Sequence, residues 1–201
     1  MSYNTEAANL ALSHLGIGKT VSDLETEQSA EAKVVRAFYN IVLKMVLRDY
    51  PWPFATKIST LGLIEEDPNT EWGYSYQYPS DCEYARRILG VSRNESNEER
   101  VPYKIFNSET GRLIYTDVEN AELEYTMTID DFTVMPADFI MAFSFKLAYY
   151  IAPQITAGDP MKVGERARVN YELELSNAKS AAFNEEQQDV PPESELVRMR
   201  V

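Results

Sequence analysis

Chemistry in this chain has few places to start, because 201 residues hold a single histidine, His14, and a single cysteine, Cys82. One cysteine allows no intrachain disulfide and no cysteine-based zinc site. One histidine leaves the commonest metal ligand and general base almost unrepresented. His14 has no second histidine four residues on, so it reads as a structural side chain rather than half of a metal site. Cys82 lacks a local histidine to take its proton and reads as a small, inert, buried group. Ser13–Thr20, SHLGIGKT, approximates a phosphate-cradling loop. It has serine where that motif begins with glycine, a helix-like segment where a strand should precede it, and no long helix starting at Lys19. The end of a helix and a turn explain it better.

Carboxylates occur as neighbours at Glu65-Glu66, Glu98-Glu99, Asp130-Asp131 and Glu185-Glu186. A glycosidase needs two acids facing each other across a cleft, which adjacent residues do not supply. These pairs read as solvated loops. The aromatic row Trp72, Tyr74, Tyr76 and Tyr78 admits two readings. It is either a stacking platform for sugars or the packed face of a sheet, and packing is favoured because each ring buries on the order of 150–250 Å². No catalytic, cofactor-binding or metal-binding residue is therefore assigned.

The elements that would position these groups fall into three stretches. Helices come first. Ala8, Ala11, Leu12 and Leu15 share one face of a short helix capped near Thr5 and stopped at Gly16. From Glu27 onward Val34, Phe38, Ile41, Val42, Met45 and Val46 make an apolar stripe, opposite a polar stripe of Lys33, Arg36, Asn40, Lys44 and Arg48. Pro51 and Pro53 end that helix. Between 56 and 134 the period changes to two, with Trp72–Tyr78 and Leu123, Tyr125 and Met127 as strands. Val101–Phe106 and Arg112–Thr116 flank a turn at Asn107–Gly111, the pattern of a hairpin. Ser92–Arg100 reads as a polar loop. About five antiparallel strands are expected in one sheet.

Helices then return. Pro136 opens one at its first position, with Asp138 favourable to the dipole. Phe139–Ile151 is apolar nearly all round, which predicts burial at the centre of a bundle, and Pro153 should follow its end. Asp159-Pro160 starts another, with Met161, Gly164, Ala167, Tyr171, Leu175, Ala178 and Ala182 on one face. The fold expected is α+β. Residues 1–55 and 135–186 make one helical bundle, 56–134 a β insertion, and 187–201 an extended tail. In that tail Ser194–Val201 alternates apolar and polar residues, and Leu196, Val197, Arg198, Met199, Arg200 and Val201 read either as simple disorder or as a segment that orders on a partner, as an added strand or a short docked helix.

The composition, 44% hydrophobic and 25% charged, is that of a globular protein. Net charge is −13, which opposes direct DNA binding but suits a surface that must let a duplex slide past. Met1–Thr5 lacks the basic start and apolar stretch of a secretory leader, so synthesis in the cytoplasm is expected.

Taken in order, several segments resemble the tail tubular protein A family, the head-to-tail adaptors of short-tailed phages. They are Asn9–Gly18 (NLALSHLGIG), Val21–Leu24, Val46–Ala55 (VLRDYPWPFA), Tyr74–Cys82 (YSYQYPSDC) and the proline-started apolar helix Met135–Pro153. The resemblance covers roughly residues 5–180 and leaves out the tail. It implies a structural virion protein that forms a ring, typically of twelve copies, at the neck between the portal protein and the tail nozzle protein. Double-stranded DNA passes through such a ring without specific binding. The resemblance implies no enzyme, no cofactor and no membrane. A receptor- or carbohydrate-binding tail module using the aromatic strand, and a wall- or capsule-degrading hydrolase, are the competing readings.

Removing Val190–Val201 is expected to weaken attachment to portal complexes more than it lowers the melting temperature. Co-sedimentation with portal complexes beside a thermal melt tests this, and unchanged attachment counts against a docking role for the tail.

Overall fold

A computed structural model of the chain describes residues 3–89, 101–109, 111–129, 131–156 and 159–185. Two helices come first, α1 (Thr5–His14) and α2 (Ala30–Arg48). Each begins on a side chain that accepts from the first-turn backbone: Asn4 from Ala7 N–H, and Ser29 from Ala32 N–H. The cap of α1 is thus Asn4 rather than Thr5, whose hydroxyl instead accepts from Leu24 N–H. Gly16, at φ +76°, ends α1 in the left-handed conformation glycine tolerates.

Seven strands follow: β1 (Thr56–Thr60), β2 (Leu63–Glu66), β3 (Tyr74–Gln77), β4 (Cys82–Ile88), β5 (Lys104–Ser108), β6 (Gly111–Thr116) and β7 (Glu122–Met127). They form not one sheet of five but two antiparallel sheets, β1-β7-β4 and β2-β3-β6-β5. The chain passes between sheets at Leu61-Gly62, where Leu61 N–H bonds Ala121 and Gly62 accepts from Gln77 N–H. The expected hairpin is present, with Ser108 opposite Gly111 across a two-residue loop. Leu61, Tyr76, Ala85, Ile88, Ile114, Ala121, Leu123 and Tyr125, drawn from both sheets and the segments joining them, make one apolar core.

Two long helices complete the described chain, α3 (Ala137–Ile155) and α4 (Pro160–Glu185). Pro136 is the cap of α3 rather than its first residue. Pro153 lies inside the last turn instead of after it. The N–H it lacks would have bonded Tyr149, whose carbonyl faces Gly164 of α4. A Cβ on Gly164 would stand 3.8 Å from that oxygen and 3.4 Å from Ala152 Cβ. The glycine therefore lets α4 lie close to α3 just where α3 is irregular.

The apolar residues of all four helices share a second core, larger than the first, with α3 packed against α1, α2 and α4. The stripe on α2 is rotated from the expected one. Ala32, Val35, Tyr39, Val42, Leu43, Val46 and Leu47 are buried, Val34 and Phe38 half-buried, and Ile41 is 61% exposed. Tyr39 takes the central place because its hydroxyl accepts from Asn4 N–H at 3.0 Å while its ring meets Phe143 edge-on.

The two cores meet at one polar joint. Arg86 on β4 donates from one terminal nitrogen to the carbonyls of Leu47 (3.1 Å), Arg48 (3.3 Å) and Tyr50 (2.7 Å). Its Nε donates to Thr126 Oγ1 at 2.8 Å, and its guanidinium lies 4.5 Å from the centre of the Tyr84 ring. The Leu47 and Arg48 carbonyls end α2 and would otherwise lack intrahelical partners, whereas that of Tyr50, beyond the helix, also accepts from Trp52 N–H at 3.0 Å. Met127 touches both cores, and Lys44 pairs with Glu83 beside the joint.

Arg86→Ala should cost about 3 kcal/mol, from lost charged hydrogen bonds and stranded carbonyls. That is a fall in melting temperature of about 6–10 °C for a chain of this size. Arg86→Lys should recover only part, because an ammonium lacks the planar fork. Thermal denaturation followed by circular dichroism measures both.

Candidate functional site

The six tail residues proposed for partner contact, Leu196, Val197, Arg198, Met199, Arg200 and Val201, lie outside the described residues, as does the loop Ser92–Arg100. Candidate chemistry must be sought among the polar clusters of the two cores and on the exposed faces.

His14, at the end of α1, meets Ser144 of α3, 130 residues away, with Nε2 3.0 Å from Oγ. Its ring stacks on Phe145 at 3.7 Å between centroids. Ser144 directs its one hydroxyl proton to Met141 O at 2.7 Å, so the imidazole is the donor and bears its proton on Nε2. A nucleophilic serine needs the opposite polarity, with imidazole accepting. Ser144 is also fully buried. The pair therefore holds α1 to α3, and burial pushes the His14 pKa down, against the opposing pull of Glu174.

A second cluster ties three helices together. Asp49, the C-cap of α2, accepts from Lys146 Nζ at 2.7 Å and from the Tyr171 hydroxyl at 2.5 Å. Lys146 also donates to the Tyr171 oxygen at 3.1 Å and lies 4.6 Å from the ring centre. Burial, and donation to Asp49, push the tyrosine's ionisation far up, so it remains a hydroxyl.

In the β unit, Cys82 donates from Sγ to the Tyr78 hydroxyl at 3.1 Å, with Arg112 5.6 Å from that ring's centre. Burial raises the thiol's pKa, which keeps it protonated and a poor nucleophile. Asp81 beside it accepts from Lys57 at 2.7 Å and Tyr125 at 2.8 Å. Shallow depressions flank the Gln77–Ser80 turn, one lined by Ser59–Gly62 and the other by Cys82, Gly111 and Arg112. Among the described residues no group of three His, Cys, Asp or Glu side chains is placed to hold a metal ion.

The aromatic row does not stand free. Tyr76 is buried, with its hydroxyl donating to Val118 O at 2.8 Å, and Trp72, just outside β3, is buried under Lys104. Trp72 Nε1 has no acceptor among the described residues. Only Tyr74 and Tyr78 are half-exposed. Glu65 and Glu66 lie on the exposed edge strand β2, and Asp131 caps the short turn Phe132–Val134.

Two surfaces remain. One end of the β unit is acidic: burial, Glu119, Glu66 and Asp67, in that leading order, raise the Tyr74 pKa, and Asp117 accepts from Gly73 N–H at 2.9 Å. The other surface is the outer side of α4, where Val169, Leu173 and Phe183 are about half-exposed or more. Sequence reasoning placed the buried face of α4 from Gly164 to Ala182 but wrongly began it at Met161, in the first turn, which is 77% exposed; it passed over this outer side, although its spacing was there to count. It also passed over Arg86, for which no local pattern exists.

No helix among the described residues is long and apolar enough to cross a membrane. In comparisons with known proteins, the sequence matches no protein family and no curated protein.

Above the ordinary histidine value of 6.5, His14 is neutral in the folded and unfolded chain. As the pH falls below it, the unfolded chain binds a proton that the folded one resists, so stability falls towards the lower folded value. The stability gap between the wild type and His14→Asn should therefore narrow as pH drops from about 7.5 to about 5.5. Urea denaturation across that range measures it; a constant gap rules the effect out.

Proposed function

We propose that the chain is a head-to-tail adaptor of a short-tailed phage, a ring subunit seated between portal and tail nozzle and lining the DNA exit channel. The observation that carries the proposal is the division of charge along the fold. Residues 56–134 hold sixteen carboxylates against seven cations, an excess of nine out of the chain's net −13. The helical parts on either side are each within one charge of neutral up to Glu185. An acidic β unit turned towards a channel repels a passing duplex and keeps it from sticking, whereas nearly neutral bundles side by side repel each other little.

The segments that resemble the adaptor family support the same reading. Val46–Ala55 forms the turn that Arg86 clamps, and Trp52 within it donates from Nε1 to Val46 O at 2.9 Å while meeting Phe139 edge-on. Tyr74–Cys82 forms β3 and the turn into β4. On this reading the protein works by geometry: it extends the portal channel, retains packaged genome and presents a docking surface to the nozzle. It is neither an enzyme nor a cofactor carrier, and its place in the virion is the neck.

Electron microscopy of virions decorated with a gold-tagged antibody to this chain tests the proposal. Label in a ring at the neck is expected. Label at fibre tips overturns it, and so does a purified portal that captures none of the protein.

A further inference from the structure

Helix α4 is 26 residues long and packs along α3, making no comparably extensive contact with another described element. Among the described residues nothing covers its opposite side. There Val169, Leu173, Ser176, Ser180 and Phe183 succeed one another at intervals of four, three, four and three residues, all exposed. That is the spacing of a seam along which a second helix packs knobs into holes. A globular surface helix needs only one such stripe, and α4 already spends its own on α3.

Charge says which partner fits. Within α4 four cations (Lys162, Arg166, Arg168, Lys179) offset four carboxylates (Glu165, Glu172, Glu174, Glu185), while the whole chain is −13. The charges of α4 cancel, so two copies of so acidic a protein meet no net repulsion between these helices. Size says how they lie. In an antiparallel pair with its two-fold axis between residues 174 and 175, Leu173 falls opposite Ser176 of the second copy and Val169 opposite its Ser180. Each large side chain thus meets a small one. The same register sets Glu172 beside Lys179 of the other copy on one flank. On the other flank stand the uncharged amides Asn170 and Asn177.

We propose that α4 is a self-association surface, through which two copies of this chain pair in antiparallel fashion by the Val169–Phe183 seam. The pairing does not rest on the adaptor reading: a two-fold pair points its copies in opposite directions, so it belongs to the free chain and is not the contact between neighbours of a ring. Its few layers bury less than the roughly 1,200–2,000 Å² of a standard interface, so dimers form at micromolar concentrations rather than below.

Sedimentation equilibrium of the full chain from about 5 to about 500 µM tests it, spanning the affinity expected for an interface of that size. A monomer–dimer equilibrium is expected, and Leu173→Asp should weaken it at least about tenfold while circular dichroism remains unchanged. Glu172→Lys and Lys179→Glu should each weaken it about fivefold, since each converts two symmetry-related attractions into repulsions. The double variant E172K/K179E should restore it to within about twofold. A chain that stays monomeric throughout overturns the proposal. So does a dimer indifferent to Leu173→Asp, or one that the double exchange fails to restore. A monomer whose α4 amides exchange more slowly than those of a variant truncated after Glu185 shows that the chain's own end covers this face. That outcome also overturns the pairing.

Discussion

The two cores of this protein are joined through the carbonyl oxygens that end α2. Arg86 reaches across from β4 and gathers two of them, at Leu47 and Arg48, with the Tyr50 carbonyl just beyond the helix. A helix that stops short leaves acceptors with no partner, and a guanidinium offers several donors in one plane. Burial works against the cation and lowers its pKa, but arginine stays charged even so, whereas a lysine in this place has less margin. The chain's direction out of the helix depends on the same contact. Pro51-Trp52-Pro53 turns towards β1 only where Tyr50 O is held and Trp52 is seated against Phe139. Arg36 repeats the device at the other end of α2, donating to the carbonyls of Leu24, Glu25 and Glu27 and so fastening the loop before it.

Helix limits were legible because local chemistry sets them. Gly16, Pro51 and Asp159-Pro160 act within a turn of where they stand, and Asp159 does accept from Lys162 N–H; α2, expected from Glu27, starts at Ala30 on the Ser29 cap. The α+β class was legible for the same reason. The face of α2 was less so, because a period of 3.6 admits two neighbouring stripes and Tyr39 looks polar until Asn4 N–H is brought to its hydroxyl from 35 residues away. The number of strands was missed where alternation fails. The outer strand β2 is short and exposed along its whole length, so it carries no buried face to read. The corner at Leu61-Gly62, which splits one expected sheet into two, has only a glycine to announce it.

Sites were harder still. His14 with Ser144, and Asp49 with Lys146 and Tyr171, are joined across 130, 97 and 122 residues. Sequence alone gives no distance between such positions. It weighed Trp72–Tyr78 towards packing, which accords with the burial of Trp72 and Tyr76. Tyr76 faces inward among Ile88, Ile114, Leu123 and Tyr125, while Tyr74 and Tyr78 at its sides stay half-exposed.

Polar contacts at the joint differ in what they answer to. Lys44 and Glu83 form an ion pair whose lysine is 45% exposed, and such a pair weakens as salt screens it. Arg86 bonds neutral carbonyls and Thr126, contacts that do not rely on a paired counter-charge, and its guanidinium also lies over the Tyr84 ring. Increasing ionic strength therefore strips the accessory link and leaves the principal one. The helical and β parts keep their relation over a range of salt in which the net charge of the β unit is progressively masked. Rigidity at the joint and repulsion at the acidic surface are thus set by separate interactions, and either can change without the other.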